Sequence, residues 1–313
     1  MPELPEVETV ARGLQESVAG RRILSVTLRQ TDFIDDPAAL ERELPGRRIA
    51  RVERFGKFML LQLQSQQPLS EPREAPAATV SEALLVHLGM TGAMMPKAVS
   101  EAQVKHTHLV ALLDDGRELR YVDPRRFGRM AMLQGDALQK ELVRFGADPL
   151  EVTLPEFTRR IRERKARIKA LLLDQSVLRG VGNIYADESL WKAKMHPAEV
   201  GARIVHERVK KLYRSLQEIL QKAIVLRGSS ISDFLDADGE PGEYQQHHRV
   251  YGRAGKGCPR CGTAIRRMIV AGRSSYFCPN CQPTPRGMRA KRAKPGSKRG
   301  TSKGKAKVAG VKR

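Results

Sequence analysis

The chain reads as an α+β protein: an antiparallel β-sandwich entered through one helix, then a helical second domain carrying a small cysteine-bearing β-hairpin. Three observations predict this. Short β-rich runs recur at regular spacing from Arg21 to about Gln134, and beyond Pro149 the apolar periodicity turns helical and stays so. All four cysteines fall late, in two pairs. At 313 residues the chain has the length of two domains.

Pro5 suits the first turn of a helix, Glu6 and Glu8 follow where the helix dipole favours acids, and Val7, Val10, Leu14 and Val18 recur near helical spacing before Gly20. One amphipathic helix therefore opens the chain. Strands are expected at 23–28, 49–63, 83–90, 109–113, 118–122 and 130–133, with Asp115-Gly116 marking a hairpin. Residues 64–82, rich in Gln, Pro, Ser and Ala, read as a long flexible loop. Helices are expected at 154–173, 184–194 and 205–227, then a loop over 228–249 with Asp-Gly and Pro-Gly punctuation. There is no internal repeat.

Hydrophobic residues at 41% and charged residues at 29% exclude a fibrous or wholly disordered chain. No apolar run is long enough to span a bilayer, and Glu3, Glu6, Glu8 and Arg12 occupy the place of an export signal, so a cytoplasmic location is expected and no membrane partner. The net charge is +21, of which the acid-free stretch 286–313 supplies +12 and the body the remaining +9. A polyanion partner follows. The Lys/Gly/Ala-rich 286–313 tail has too little apolar surface to fold and is expected to be disordered, adding non-specific attraction to nucleic acid.

The pairs Cys258-Pro-Arg-Cys261 and Cys278-Pro-Asn-Cys281, sixteen residues apart, have the spacing of two zinc knuckles. Four thiolates close a tetrahedral site, so one structural zinc ion is expected, with two disulfides or a redox pair as the alternatives. No ligand position would remain open for chemistry. Between the pairs, 264–270 and 274–277 read as two strands around Ala271-Gly272-Arg273. Arg273 is then a solvated turn residue or a phosphate or minor-groove contact. Pro2 alone is a helix-start residue; if the initiator methionine is trimmed, it becomes a secondary α-amine, far more of it free base at neutral pH than a lysine, with Glu3 beside it to move a proton.

Five motifs occur in one order: Met1-Pro-Glu-Leu-Pro-Glu-Val-Glu-Thr-Val10, His87-Leu-Gly-Met-Thr-Gly92, Asp123-Pro-Arg-Arg-Phe-Gly128, Gly180-Val-Gly-Asn-Ile-Tyr-Ala186 and the four-cysteine module. Together they resemble bacterial formamidopyrimidine-DNA glycosylase over 2–282. The resemblance implies a bifunctional enzyme that excises 8-oxoguanine and formamidopyrimidines from double-stranded DNA and nicks the abasic site by β,δ-elimination. It implies Pro2 as the Schiff-base nucleophile, Glu3 as acid/base, and Lys57 in Phe55-Gly-Lys-Phe58 as a further proton donor and phosphate contact. Met90, Arg125 and Phe127 match the set that fills the hole left by a flipped nucleotide.

Asn183 matches a helix-two-turn-helix phosphate site, Lys169 a contact to the phosphate beside the lesion, and Arg273 the finger-tip arginine. Domains are expected at 1–134 (catalytic β-sandwich), 135–249 (helix-two-turn-helix with a lesion-capping loop), 250–285 (zinc finger) and 286–313 (basic tail). A monomer associated with the nucleoid is expected. The capping loop keeps Asp238-Gly-Glu-Pro-Gly242, but Glu243-Tyr-Gln-Gln-His-His248 is more polar than the family pattern, the 64–82 loop is longer, and the tail has no counterpart. Two alternatives stand beside this: an endonuclease VIII type acting on oxidised pyrimidines, and a non-catalytic zinc-finger DNA-binding protein.

Overall fold

The computed structural model describes residues 1–65, 81–231 and 234–285; the tail and most of the 64–82 loop lie outside the described residues. Helix α1 (Leu4–Val18) is followed by β1 (Ile23–Leu28), α2 (Pro37–Glu43), β2 (Arg48–Phe55), β3 (Phe58–Gln64), β4 (Glu82–His87), β5 (Ala93–Ala98), β6 (Thr107–Leu113), β7 (Arg117–Val122) and β8 (Arg129–Gln134). The strands form two four-stranded antiparallel sheets, β1-β6-β7-β5 and β2-β3-β4-β8. Side-chain alternation explains their packing. On β3, Met59, Leu61 and Leu63 point into the main core, while Leu60 faces out and is covered, with Leu85, by Leu138 of α3 (Gly135–Leu142).

The helical half comprises α4 (Leu154–Arg162), α5 (Ile168–Leu173), α6 (Asn183–Lys192) and α7 (His206–Val225); the finger hairpin is β9 (Arg266–Val270) paired with β10 (Arg273–Phe277). Helix α1 belongs to both halves. Leu4 lies in the helical core with Tyr185 and Leu220, whereas Val7, Val10, Leu14 and Val18 lie in the sandwich core. The first residues of the chain are thereby held where the two halves meet.

The structure differs from the sequence expectations at several elements, α3 among them. The run 49–63 is two strands joined by the two-residue turn Gly56-Lys57, with Gly56 at φ +64°. The run 154–173 is two helices, because Arg167 pairs with Val200 and the Ile168 N–H donates to the Glu199 carbonyl at 2.6 Å, interrupting the helical ladder. Strand β5 was masked by Pro96, tolerated because β5 is an edge strand paired only with β7. Helix α2 carries its signal openly: Pro37 opens it and Asp36 accepts from the Ala39 N–H at 2.9 Å.

Candidate active site

The site is built around the N-terminus. Met1 is half exposed and Pro2 and Glu3 are buried behind it. The Glu3 N–H donates to Glu6 Oε2 at 2.8 Å, and the Leu4 N–H donates to the Gly180 carbonyl at 3.0 Å, so backbone bonds set the direction of the terminus. The Glu3 carboxylate sits on the first turn of α6, accepting from the Ile184 N–H at 3.0 Å and the Tyr185 N–H at 3.4 Å. A helix N-terminus is a natural anion seat, since its first amides lack intrahelical partners. Gly182 makes the approach possible: a Cβ there would land on the Glu3 carboxyl carbon.

The β2–β3 turn brings Lys57 to the same place. A Cβ on Gly56 would crowd Arg179 and the Gly180 amide, which shows how closely the turn rests on the loop before α6. Burial pushes the Lys57 ammonium below its ordinary range; Glu3 opposes this, and Arg273 across the cleft adds to it. Burial likewise lowers the terminal amine, with Glu3 and Glu6 opposing and Lys57 and Arg125 reinforcing the shift. The structure thus brings Glu3, Lys57 and Arg125 within electrostatic reach of the N-terminus, and Arg273 within reach of Lys57.

Met90, Arg125 and Phe127 project from two sandwich loops. Met90 and Phe127 are 40% and 55% exposed, unusual for large apolar side chains, and the Arg125 guanidinium lies 4.6 Å from the Phe127 ring centroid. Their support is the fully buried Asp123. Its Oδ1 accepts from Thr91 Oγ1 at 2.6 Å and the Arg125 N–H at 3.2 Å, and its Oδ2 accepts from Tyr121 Oη at 3.2 Å and the Gly128 N–H at 3.1 Å. One carboxylate therefore ties both loops together. Gly89, at φ +66°, lies against the Phe127–Gly128 backbone where no Cβ would fit.

The sequence reading missed Glu6. It accepts from Glu3 N–H, from Ser229 N–H at 2.7 Å and from Tyr185 Oη, and burial followed by the Glu3 charge lifts it to about 7. Its signal was present, as the acid three residues into a helix opened by Glu3. With Pro2, Met90, Ile184, Ser229 and Phe234 it lines a small cavity of about 40 Å³. The polar 243–248 segment is explained by bracing: Gln245 accepts from the Ser230 N–H at 3.0 Å, and His248 Nε2 lies 3.0 Å from Ser229 Oγ.

Lys169 is not where the sequence reading put it. It is fully buried, with Nζ 2.7 Å from Asp187 Oδ1 and donating to the Ser274 carbonyl at 2.8 Å. As placed it cannot meet a phosphate. Asn183 opens α6 half-buried, its Oδ1 without a partner among the described residues, and Arg273 stands exposed at the finger hairpin.

The four cysteine Sγ atoms lie within 4.8 Å of one another and none is in a disulfide. An all-thiolate set at this spacing fits one tetrahedral zinc. The Trp191 indole N–H donates to Cys258 Sγ at 3.4 Å, and Arg260 covers that indole at 4.0 Å, so the metal site is fastened to the end of α6. Among the described residues no helix is long and apolar enough to cross a membrane.

Three family models match the chain: the formamidopyrimidine-DNA glycosylase N-terminal domain over 1–130, its H2TH domain over 145–235, and the zinc finger found in FPG and IleRS over 255–284. A relative from Solibacter usitatus named formamidopyrimidine-DNA glycosylase is 43% identical over 90% of this chain and 99% of its own length. One of the same name from Herpetosiphon aurantiacus is 40% identical over 90% and 100%. Among solved structures, the MutM (Fpg) protein of Thermus thermophilus is 39% identical with a TM-score of 0.76, covering 90% of this chain and 98% of that one. A Lactococcus lactis Fpg mutant bound to Fapy-dG-containing DNA is 33% identical with a TM-score of 0.80 over 90% and 100%.

Proposed function

Since the chain belongs to the formamidopyrimidine-DNA glycosylase family, we propose that its buried N-terminus, once freed of Met1, is the nucleophile of a base-excision reaction on oxidised purines. The enzyme is a DNA-repair glycosylase with abasic-site lyase activity, and it carries one structural zinc ion. The observation that carries the assignment is the seating of Glu3 on the amides of α6, one residue from Pro2, with its charge acting on the buried Lys57.

The residues have distinct tasks. The damaged nucleotide leaves the stack at a cost of a few kcal/mol. The Pro2 nitrogen bonds to C1′ with its lone pair, the base departs with the glycosidic electron pair and takes up a proton, and Glu3 moves the proton needed for ring opening. Loss of the 3′ and then the 5′ phosphate from the iminium follows. Lys57, its ammonium weakened by burial, exchanges a proton in these steps and faces the phosphate. Met90 takes the vacated space, Arg125 bonds the orphaned base, and Phe127 wedges the next step. Asn183 and Arg273 bind backbone phosphate. Zinc holds the finger hairpin in shape and leaves no ligand position open. The enzyme works as a monomer on double-stranded DNA in the cytoplasm, without a membrane partner.

Borohydride trapping tests the nucleophile. The trimmed protein should form a covalent adduct with an 8-oxoguanine duplex, and a retained tag before Pro2 should abolish it. Equal trapping by the tagged protein would overturn the assignment, and no trapping at all would favour a non-catalytic finger protein. Faster cleavage of thymine-glycol than of 8-oxoguanine duplexes would point to the endonuclease VIII type.

A further inference from the structure

One buried ion pair is left unused by the reaction. Lys169 on α5 and Asp187 on α6 are 0% and 1% exposed. Isolated charges of this kind are costly to bury, so such a pair persists only where its remaining donors and acceptors are satisfied. Here one strand supplies two of those partners. Lys169 Nζ donates to the Ser274 carbonyl at 2.8 Å, and Asp187 Oδ2 accepts from the Tyr276 N–H at 2.9 Å. Both backbone partners belong to β10, whose first residue is Arg273.

The pair is a three-way junction. Along α6, Ile184 and Tyr185 seat Glu3, Asp187 grips β10, Glu188 accepts from the N–H groups of Arg249, Val250 and Tyr251 at 2.9 to 3.0 Å, and Trp191 bonds a zinc-site sulfur. One helix thus carries the carboxylate seat at one end and the finger along its length. Among the described residues the β9–β10 hairpin pairs with no other strand, so its direction is set by these side-chain bonds together with the packing of Tyr276 on Tyr251 and of Phe277 on His196.

We propose that Lys169 and Asp187 are positioning residues, a buried joint that aims the finger strand so that Arg273 meets the DNA backbone opposite Lys57. The inference rests on the glycosylase reading above. It replaces a direct phosphate contact by Lys169 with an indirect one through Arg273.

A mutant cycle with Arg273 separates the two. Lys169→Met and Asp187→Asn should each lower kcat/KM for an 8-oxoguanine duplex by about 10- to 100-fold, the cost of misplacing a binding group by about an ångström. In an Arg273→Ala background, where the aimed group is gone, either change should add less than about twofold. Arg273→Ala should reduce the slope of log affinity against log salt by about one, with no further reduction from Lys169→Met. A further reduction of one unit, or wild-type behaviour of Asp187→Asn, overturns the joint.

If a single variant loses its zinc or does not fold, the double variant Lys169→Met/Asp187→Leu, which leaves no unpaired charge, is measured instead. It should keep zinc while amide exchange at 274–276 quickens; unchanged exchange and unchanged kcat/KM overturn the joint. Borohydride trapping of the wild type runs alongside: its failure would remove the glycosylase reading, whereas its success with a failed cycle removes only the joint.

Discussion

Around the N-terminus, Pro2, Glu3, Glu6 and Lys57 are all buried, while across the cleft Met90, Arg125 and Phe127 stand in solvent on two loops. In the first group the two carboxylates are held by direct bonds: amides on Glu3, a hydroxyl and two amides on Glu6. The second is fastened at the loop bases by Asp123, and its side chains stand largely exposed, Arg125 resting on the Phe127 ring. On the proposed reading, the carboxylates that move protons are held in place before substrate arrives, whereas the side chains that enter the base stack are presented exposed, because they are to meet the DNA.

Four substitutions sharpen this contrast. The largest effect is expected from Gly182→Ala, whose Cβ would displace the Glu3 carboxylate from α6. Single-turnover excision should fall about 100-fold while binding of undamaged duplex is retained; near-normal excision would show that the amide seat does not set the position of Glu3. Asp123→Asn comes next. Turning one carboxylate oxygen into an amide donor opposes the Asp123 bonds to two loops, and denaturant titration should show a loss of about 1–3 kcal/mol together with weaker preference for cytosine opposite the lesion.

Arg125→Ala inverts that pattern. Stability should stay within about 0.5 kcal/mol because the side chain is exposed, yet discrimination between opposite bases should fall by about 1–3 kcal/mol. A uniform loss across all four opposite bases would count against the recognition role. Glu6→Gln is the mildest. Folding raises Glu6 from 4.5 to about 7, so the fold favours the protonated acid, and this contribution is present below about pH 4.5 and declines as pH rises toward 7. The substitution should flatten the stability profile between pH 5 and pH 8, read as the difference in melting temperature at the two pH values.

Residues differed in how much of their role could be read along the chain. The sandwich strands with strong apolar runs and α7 with its long periodicity were legible, as was the cysteine module, whose spacing reflects ligand geometry. Strand β5 was hidden by Pro96, since a proline is excluded from central strands but harmless at the edge that only the assembled sheet defines. Lys169 shows the limit most clearly. The family resemblance pointed it to a phosphate, but Asp187, eighteen residues on, and Ser274, more than a hundred residues on, capture its ammonium first.

The sequence by itself determined the α+β class, the four-cysteine zinc module and, through its ordered motifs, the family, because these depend on periodicity, spacing and residue identity read locally. Only the tertiary structure decided that Glu3 rests on α6, that Glu6 is driven up by burial beside it, that Asp123 joins two loops and that Lys169 faces inward. Each of those depends on which distant groups share a buried volume, and desolvation has no sequence signature until the chain has folded around it.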